Sequence, residues 1–185
     1  MNLVDYQKQA IVTKIYDDSV AIPYIVLGIC GEAAELYEKM TELDIFKPKT
    51  NDLLEKEIGD VSWYLAGWAE ENGLQLEDIV MLGTIPTMDI DKSIYEVMND
   101  IVIYSGQIAE FAKKALRDDF ADISKGKYPE SKMLKTNIAA ANLYASLLNV
   151  CYVLEIDMAK VLQQNVDKLK ARAEKGKLQG SGDER

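Results

Sequence analysis

Four acidic residues fall in two pairs on either side of a break: Glu32-x-x-Glu35, then 21 residues, then Glu57-x-x-Asp60. Side chains three apart project from one side of a helix, so each pair can offer two carboxylates to one ligand. Acidic pairs at this spacing are common in a chain with 31 Asp and Glu, and their surroundings set these two apart. Gly28 and Gly31 accompany the first pair, and Tyr64 and Gly67 continue the stripe of the second. Glycine costs roughly 1 kcal/mol against alanine inside a helix, so glycines beside carboxylates imply room for a ligand or a close neighbouring helix. Four carboxylates converging at the rim of a dry core repel one another unless protonated or neutralised by cations. Mg2+ neutralises them with hard oxygen ligands while keeping some water, and Mn2+ is the natural substitute.

The chain has no histidine. Ser-His-Asp and Cys-His nucleophilic sites are therefore excluded, as are Glu-x-x-His di-iron bundles and the usual His-containing zinc sites. The formal net charge is −10, which repels a nucleic-acid backbone and argues against DNA or RNA as a partner. Charge is uneven: from Asn165 to Arg185, Lys168, Lys170, Arg172, Lys175, Lys177 and Arg185 outnumber Asp167, Glu174, Asp183 and Glu184. A basic end suits a small phosphate-bearing ligand, though a solvated charged tail has the same composition. Trp63, Tyr64 and Trp68 can stack on a base or fill a core. Gln7 and Asn165 can hydrogen-bond a base or ribose edge, or cap their helices.

The apolar periodicity that must position these groups is helical. It predicts helices near 3–17, 21–43, 52–72, 91–118, 131–154 and 156–176, with a short turn near 75–82. Pro48, Pro86 and Pro129 fall in the breaks, and Ser19, Asn51 and Asp89 are the expected caps or near-caps. The apolar faces are centred on Ile22, Ile25, Ile29, Leu36 and Met40, and on Leu54, Ile58, Val61, Leu65 and Trp68. A degenerate repeat is visible: Gly31–Leu36 resembles Gly106–Phe111, 75 positions later, and Leu54–Leu65 resembles Leu134–Ala145. The expected fold is all-α, a bundle of two helical hairpins in a single domain over 1–185. One hairpin occupies about 21–72, the second about 91–154, and a basic helix and tail about 156–185. No basic segment followed by an apolar run opens the chain, and no uninterrupted apolar stretch of about 18 residues suggests a membrane span. Cys30 and Cys151 lie in apolar helical patterns and read as buried thiols. A cytoplasmic setting is expected.

These motifs resemble the all-α nucleotide pyrophosphohydrolases: MazG, dimeric dUTPase, dCTP pyrophosphatases and phosphoribosyl-ATP pyrophosphohydrolase. Leu27–Leu36 is similar to the first metal helix of MazG-like proteins, and Glu57–Ala66 to the second. Asn165-x-x-Lys168-Leu169-x-x-Arg172, the tail Gly180–Arg185 and the Tyr6-Gln7-x-x-Ala10-x-x-Thr13 start are similar to a single-domain MazG-like subgroup. The likeness covers both ends and 24–80 well, and 85–160 poorly. In the second hairpin Gln107, Asn137 and Ala140 stand where Glu32, Glu57 and Asp60 stand in the first, leaving Glu110, so one active site per chain is expected. The resemblance implies that Glu32, Glu35, Glu57 and Asp60 hold Mg2+, with Glu35 and Glu57 catalytic and Glu35 the base that steers the attacking water. It implies phosphate contacts from Lys168, Arg172 and Arg185, and a nucleoside triphosphate substrate cut to monophosphate and pyrophosphate. It implies nucleotide pool control or removal of abnormal nucleotides, in a homodimer or homotetramer. A dUTP-, dCTP- or phosphoribosyl-ATP-specific enzyme and a non-catalytic nucleotide- or metal-binding module remain the alternatives.

Overall fold

The computed structural model describes residues 1–42, 48–83 and 93–179. Among them the regular structure is entirely helical: α1 (Leu3–Ala10), α2 (Ala21–Glu42), α3 (Pro48–Glu71), α4 (Leu76–Leu82), α5 (Ile94–Asp118), α6 (Phe120–Ile123), α7 (Glu130–Val153) and α8 (Met158–Glu174). Two 3-10 turns, Ile11–Thr13 and Asp18–Val20, join α1 to α2.

α2 and α3 run antiparallel. Lys39 meets Glu57, the backbone of Gly28 meets Tyr64, and Gly67 meets Ile25, so numbers fall along α3 as they rise along α2. Every residue expected on the two apolar faces is buried, from Ile22 through Met40 and from Leu54 through Trp68. Removing each of the larger aliphatic side chains from water contributes about 1.5–3 kcal/mol, which sets how these helices are turned. α5 and α7 form the second packed pair, and the pairs meet chiefly through α2 and α5. There the Cys30 thiol donates to the Ser105 carbonyl. These positions are 75 apart, the offset of the sequence repeat, and equivalent residues meet in this way beside a two-fold axis. α3 also touches α7 in antiparallel sense: Asn51 donates to the Leu154 carbonyl, and the Trp68 indole to Asn137.

Within the segment Asp18–Glu42, an 18-residue window has a mean hydropathy of 1.4, enough by length and composition to cross a bilayer. Its apolar stripe is spent on α3 and α5, and Glu32 and Glu35 interrupt it, as befits a core helix.

Several expected boundaries move for local reasons. α1 ends at Ala10, not near 17, because a 3-10 turn of three β-branched residues follows and the Thr13 hydroxyl bonds back to the Ala10 carbonyl. Asp17, not Ser19, caps the next turn, accepting from both the amide and the hydroxyl of Ser19. α3 opens at Pro48, which needs no amide partner in a first turn, so Asn51 lies inside the helix and is no cap. Ser93 caps α5 in a reciprocal box with Glu96. Asp89, the cap expected there, and Pro86 lie outside the described residues. Glu155 at φ 55° closes the turn after α7, and Asp157 caps α8 by accepting from the amides of Ala159 and Lys160. Both cysteines are free, Cys151 buried and Cys30 half-buried.

Candidate functional site

Glu32 and Glu35 on α2 and Glu57 on α3 each place one carboxylate oxygen within 4.8 Å of the others. Antiparallel packing brings them together: the apolar stripes of α2 and α3 face each other, and the carboxylates sit on the same shoulder of both. Their environments differ. Glu57 is 2% exposed, Glu32 is half-buried and Glu35 faces solvent. Burial, followed by the charges of Asp60, Glu57 and Glu35, pushes the Glu32 carboxyl up to about 8. Without a cation this cluster therefore retains a proton. Asp60 stands one turn beyond Glu57 and is outside the group of three, yet its charge is the largest ionic influence on Glu32.

Two lysines meet these carboxylates. Lys39, from α2, pairs with Glu57. Lys168, from α8, engages both Asp60 oxygens at 2.7 and 2.6 Å. Behind Asp60 is a buried relay. Asn165 donates to Asp60 at 2.8 Å and accepts from the Tyr6 hydroxyl at 2.9 Å. Asn165 is thus a holder of Asp60, and it packs on Gly59, where an added Cβ would lie 3.0 Å from the Asn165 side chain.

A narrow cleft of about 90 Å³ adjoins the carboxylates, lined by Glu32, Asp60, Tyr24, Trp63, Tyr64 and Arg172 among others. Trp63 and Tyr64 stack edge to face at 5.0 Å, and Tyr24 and Tyr16 extend the cluster. Trp63 also donates to the Ala10 carbonyl and the Thr13 hydroxyl, so it anchors the turn after α1 while its ring walls the cleft. Tyr64 fills the space left by Gly28, which accounts for that glycine; nothing lies within 4 Å of a Cβ placed on Gly31. Arg172 is 6% exposed and reaches the same cleft from α8. A larger cleft of about 500 Å³ lies between α3 and α8, lined by Asp52, Glu55, Lys56, Gln164, Asn165 and Lys168.

Gln7 is not brought to the site. Its amide is 3% exposed and fully engaged, donating to Glu70 and the Leu74 carbonyl and accepting from the Leu76 amide. Glu70 is ten residues from Asp60 along α3, roughly 15 Å at 1.5 Å per residue. Gln7 staples the α3–α4 turn. Arg185 and the rest of the tail from Gly180 lie outside the described residues. Sequence spacing missed Lys39, Tyr6 and Tyr24. Lys39 has a retrospective signal, since it continues the shoulder of Glu32 and Glu35 along α2; Tyr6 stood in the motif at the chain's start, with no role read for it.

In the second hairpin, Asn137 accepts from the Trp68 indole at 2.8 Å, and Glu110 is exposed and paired with Lys113 and Lys114. Among the described residues, no second group of carboxylates forms there.

No protein-family model matches this chain. No solved structure matches it either. The Gene 37 protein of Mycobacterium phage L5 is 30% identical over 103 residues, which cover 50% of this chain and 85% of that protein. With that identity over most of the phage protein's length, the chain belongs to the same family as Gene 37 protein, whose name assigns no activity.

Proposed function

We propose that this protein is a Mg2+-dependent nucleoside triphosphate pyrophosphohydrolase, converting an NTP or dNTP and water to the monophosphate and pyrophosphate. The observation that carries the reading is the gathering of Glu32, Glu35 and Glu57 within 4.8 Å, with Asp60 on the next turn. The donor set fits a hard divalent cation: all four are carboxylates, and Glu32 at about 8 marks a negative charge that the protein alone does not balance. Glu32, Glu35, Glu57 and Asp60 would hold Mg2+, which neutralises phosphate charge and lowers the pKa of bound water. The chain's own groups divide the remaining work. Glu35 faces solvent and takes the proton of the attacking water, while buried Glu57 fixes the site's geometry. Lys168 as a point charge and Arg172 as a fork hold phosphate oxygens from α8. Tyr24, Trp63 and Tyr64 offer a wall for the base.

The two packed helix pairs are read as the hairpins of an all-α NTP pyrophosphatase, the second being the degenerate partner. A cytoplasmic role in nucleotide pool control or removal of abnormal nucleotides, in a homodimer or homotetramer, completes the proposal. Preference for dUTP, dCTP or phosphoribosyl-ATP is the variant within catalysis. One observation favours a non-catalytic module instead: Lys39 and Lys168 already neutralise half of the four charges. A panel of NTPs and dNTPs with Mg2+, scored for monophosphate and pyrophosphate, separates these readings. Turnover supports the enzyme, its base preference names the substrate, and turnover of none leaves the binding module.

A further inference from the structure

Glu57 lies almost wholly out of water, and a carboxylate so placed needs a countercharge. Lys39 supplies it from one turn beyond Glu35 on α2, the helix that also carries two of the three grouped carboxylates. Lys168 does the same for Asp60. Lys39 and Lys168 thus each face one of these carboxylates.

We propose that Lys39 is a built-in substitute for the divalent cation: the ammonium and the ion compete for Glu57, and filling the site expels Lys39. This rests on the divalent-cation reading given above. A metal ion approaches its oxygen ligands to about 2.1 Å and an ammonium to about 2.8 Å, so joint occupancy of Glu57 sets like charges nearly in contact. The two partners of this ion pair differ in freedom. Glu57 is fixed in the α2–α3 seam, whereas the Lys39 side chain is 25% exposed and ends a flexible four-carbon stem. Rotation about that stem can therefore take the Lys39 ammonium off Glu57 without moving α2. Lys168 is held differently, on both oxygens of Asp60 and beside the Asn165 amide, and it stays. Lys39 thus offsets the Glu57 charge before loading and raises the cation concentration at which the site fills.

The test is calorimetric titration of Mn2+ into the full chain, its Lys39→Met and Lys39→Arg variants, and Glu57→Gln. Lys39→Met removes the competitor at similar length, and its Mn2+ dissociation constant is expected to fall about tenfold or more. Lys39→Arg retains the charge and is expected to bind as the wild type does, which keeps the proposal exposed if the methionine variant fails to fold. Thermal melts give a second readout: Lys39→Met is less stable than wild type without metal and equal to it at saturating Mn2+. Unchanged or weaker Mn2+ binding by Lys39→Met overturns the proposal, because Lys39 then props Glu57 and does not compete. If the wild type still turns over nucleotides in that case, the enzyme reading survives alone. Binding by neither protein overturns both.

Discussion

The four carboxylates sit in different surroundings, and the differences set what the loss of each should do. Glu57 is buried at the seam, so Glu57→Gln removes a ligand without opening space; we expect kcat to fall more than about 100-fold with the fold retained, checked by circular dichroism. Glu32→Gln is expected to do the same. Lys168→Ala strips Asp60 of a two-oxygen partner and, on the proposed function, the substrate of a phosphate contact. KM should rise about tenfold, the scale of one charge-assisted hydrogen bond. Tyr6→Phe is the finer test, because Tyr6 touches Asp60 only through Asn165. It should cost about 1 kcal/mol in stability and weaken Mg2+ binding by roughly tenfold, while kcat at saturating Mg2+ changes little. A Tyr6→Phe variant with normal Mg2+ affinity would remove the relay from the account.

At the level of helices, α2 and α3 carry the site because their apolar stripes fix their rotation and leave matching shoulders. Those stripes were legible: ten residues chosen by a 3.6-residue period, from Ile22 to Trp68, are all buried. Three of the four carboxylates expected to converge followed, since a helix turned by its core also turns its edge; Asp60 stands outside the group. What failed to read was whatever depends on a distant partner. The Gln7 amide finds the Leu74–Leu76 turn, and the Tyr6 hydroxyl finds Asn165 at the other end of the chain; no local pattern announces either. Short-range competition hid the end of α1, where the Thr13 hydroxyl captures a helix carbonyl. Gly28 was legible as a gap but not as to its filler, which is a protein ring. The ring gives a prediction at this scale. A Cβ on residue 28 would fall 2.1–2.4 Å from the Tyr64 ring, which Trp63 and Tyr24 hold in place. Gly28→Ala should therefore destabilise by about 1–3 kcal/mol in denaturant titration, overriding alanine's better helix propensity.

For the molecule as a whole, the charge on the site links folding to pH and to metal. Glu32 holds a proton up to about pH 8 in the folded chain, and its ordinary value is 4.5. Between those values the folded state binds more protons than the unfolded state, so metal-free stability must fall as pH rises from about 4.5 towards 8. A divalent cation displaces that proton, so Mg2+ affinity should rise over the same window, by at most about tenfold per pH unit for one proton. Melts at pH 6 and pH 8, with and without Mg2+, check both directions. Among the described residues a group of three carboxylates forms on the first helix pair only; in the second, Asn137 stands where the repeat places Glu57 and accepts from Trp68. The most direct measurement of the central claim is therefore anomalous scattering from crystals grown with Mn2+. The account predicts a peak bounded by Glu32, Glu35 and Glu57, at roughly 2.1 Å from their oxygens, and none in the second hairpin. Glu57 still held by Lys39 at saturating Mn2+, with no peak among Glu32, Glu35 and Glu57, would contradict it.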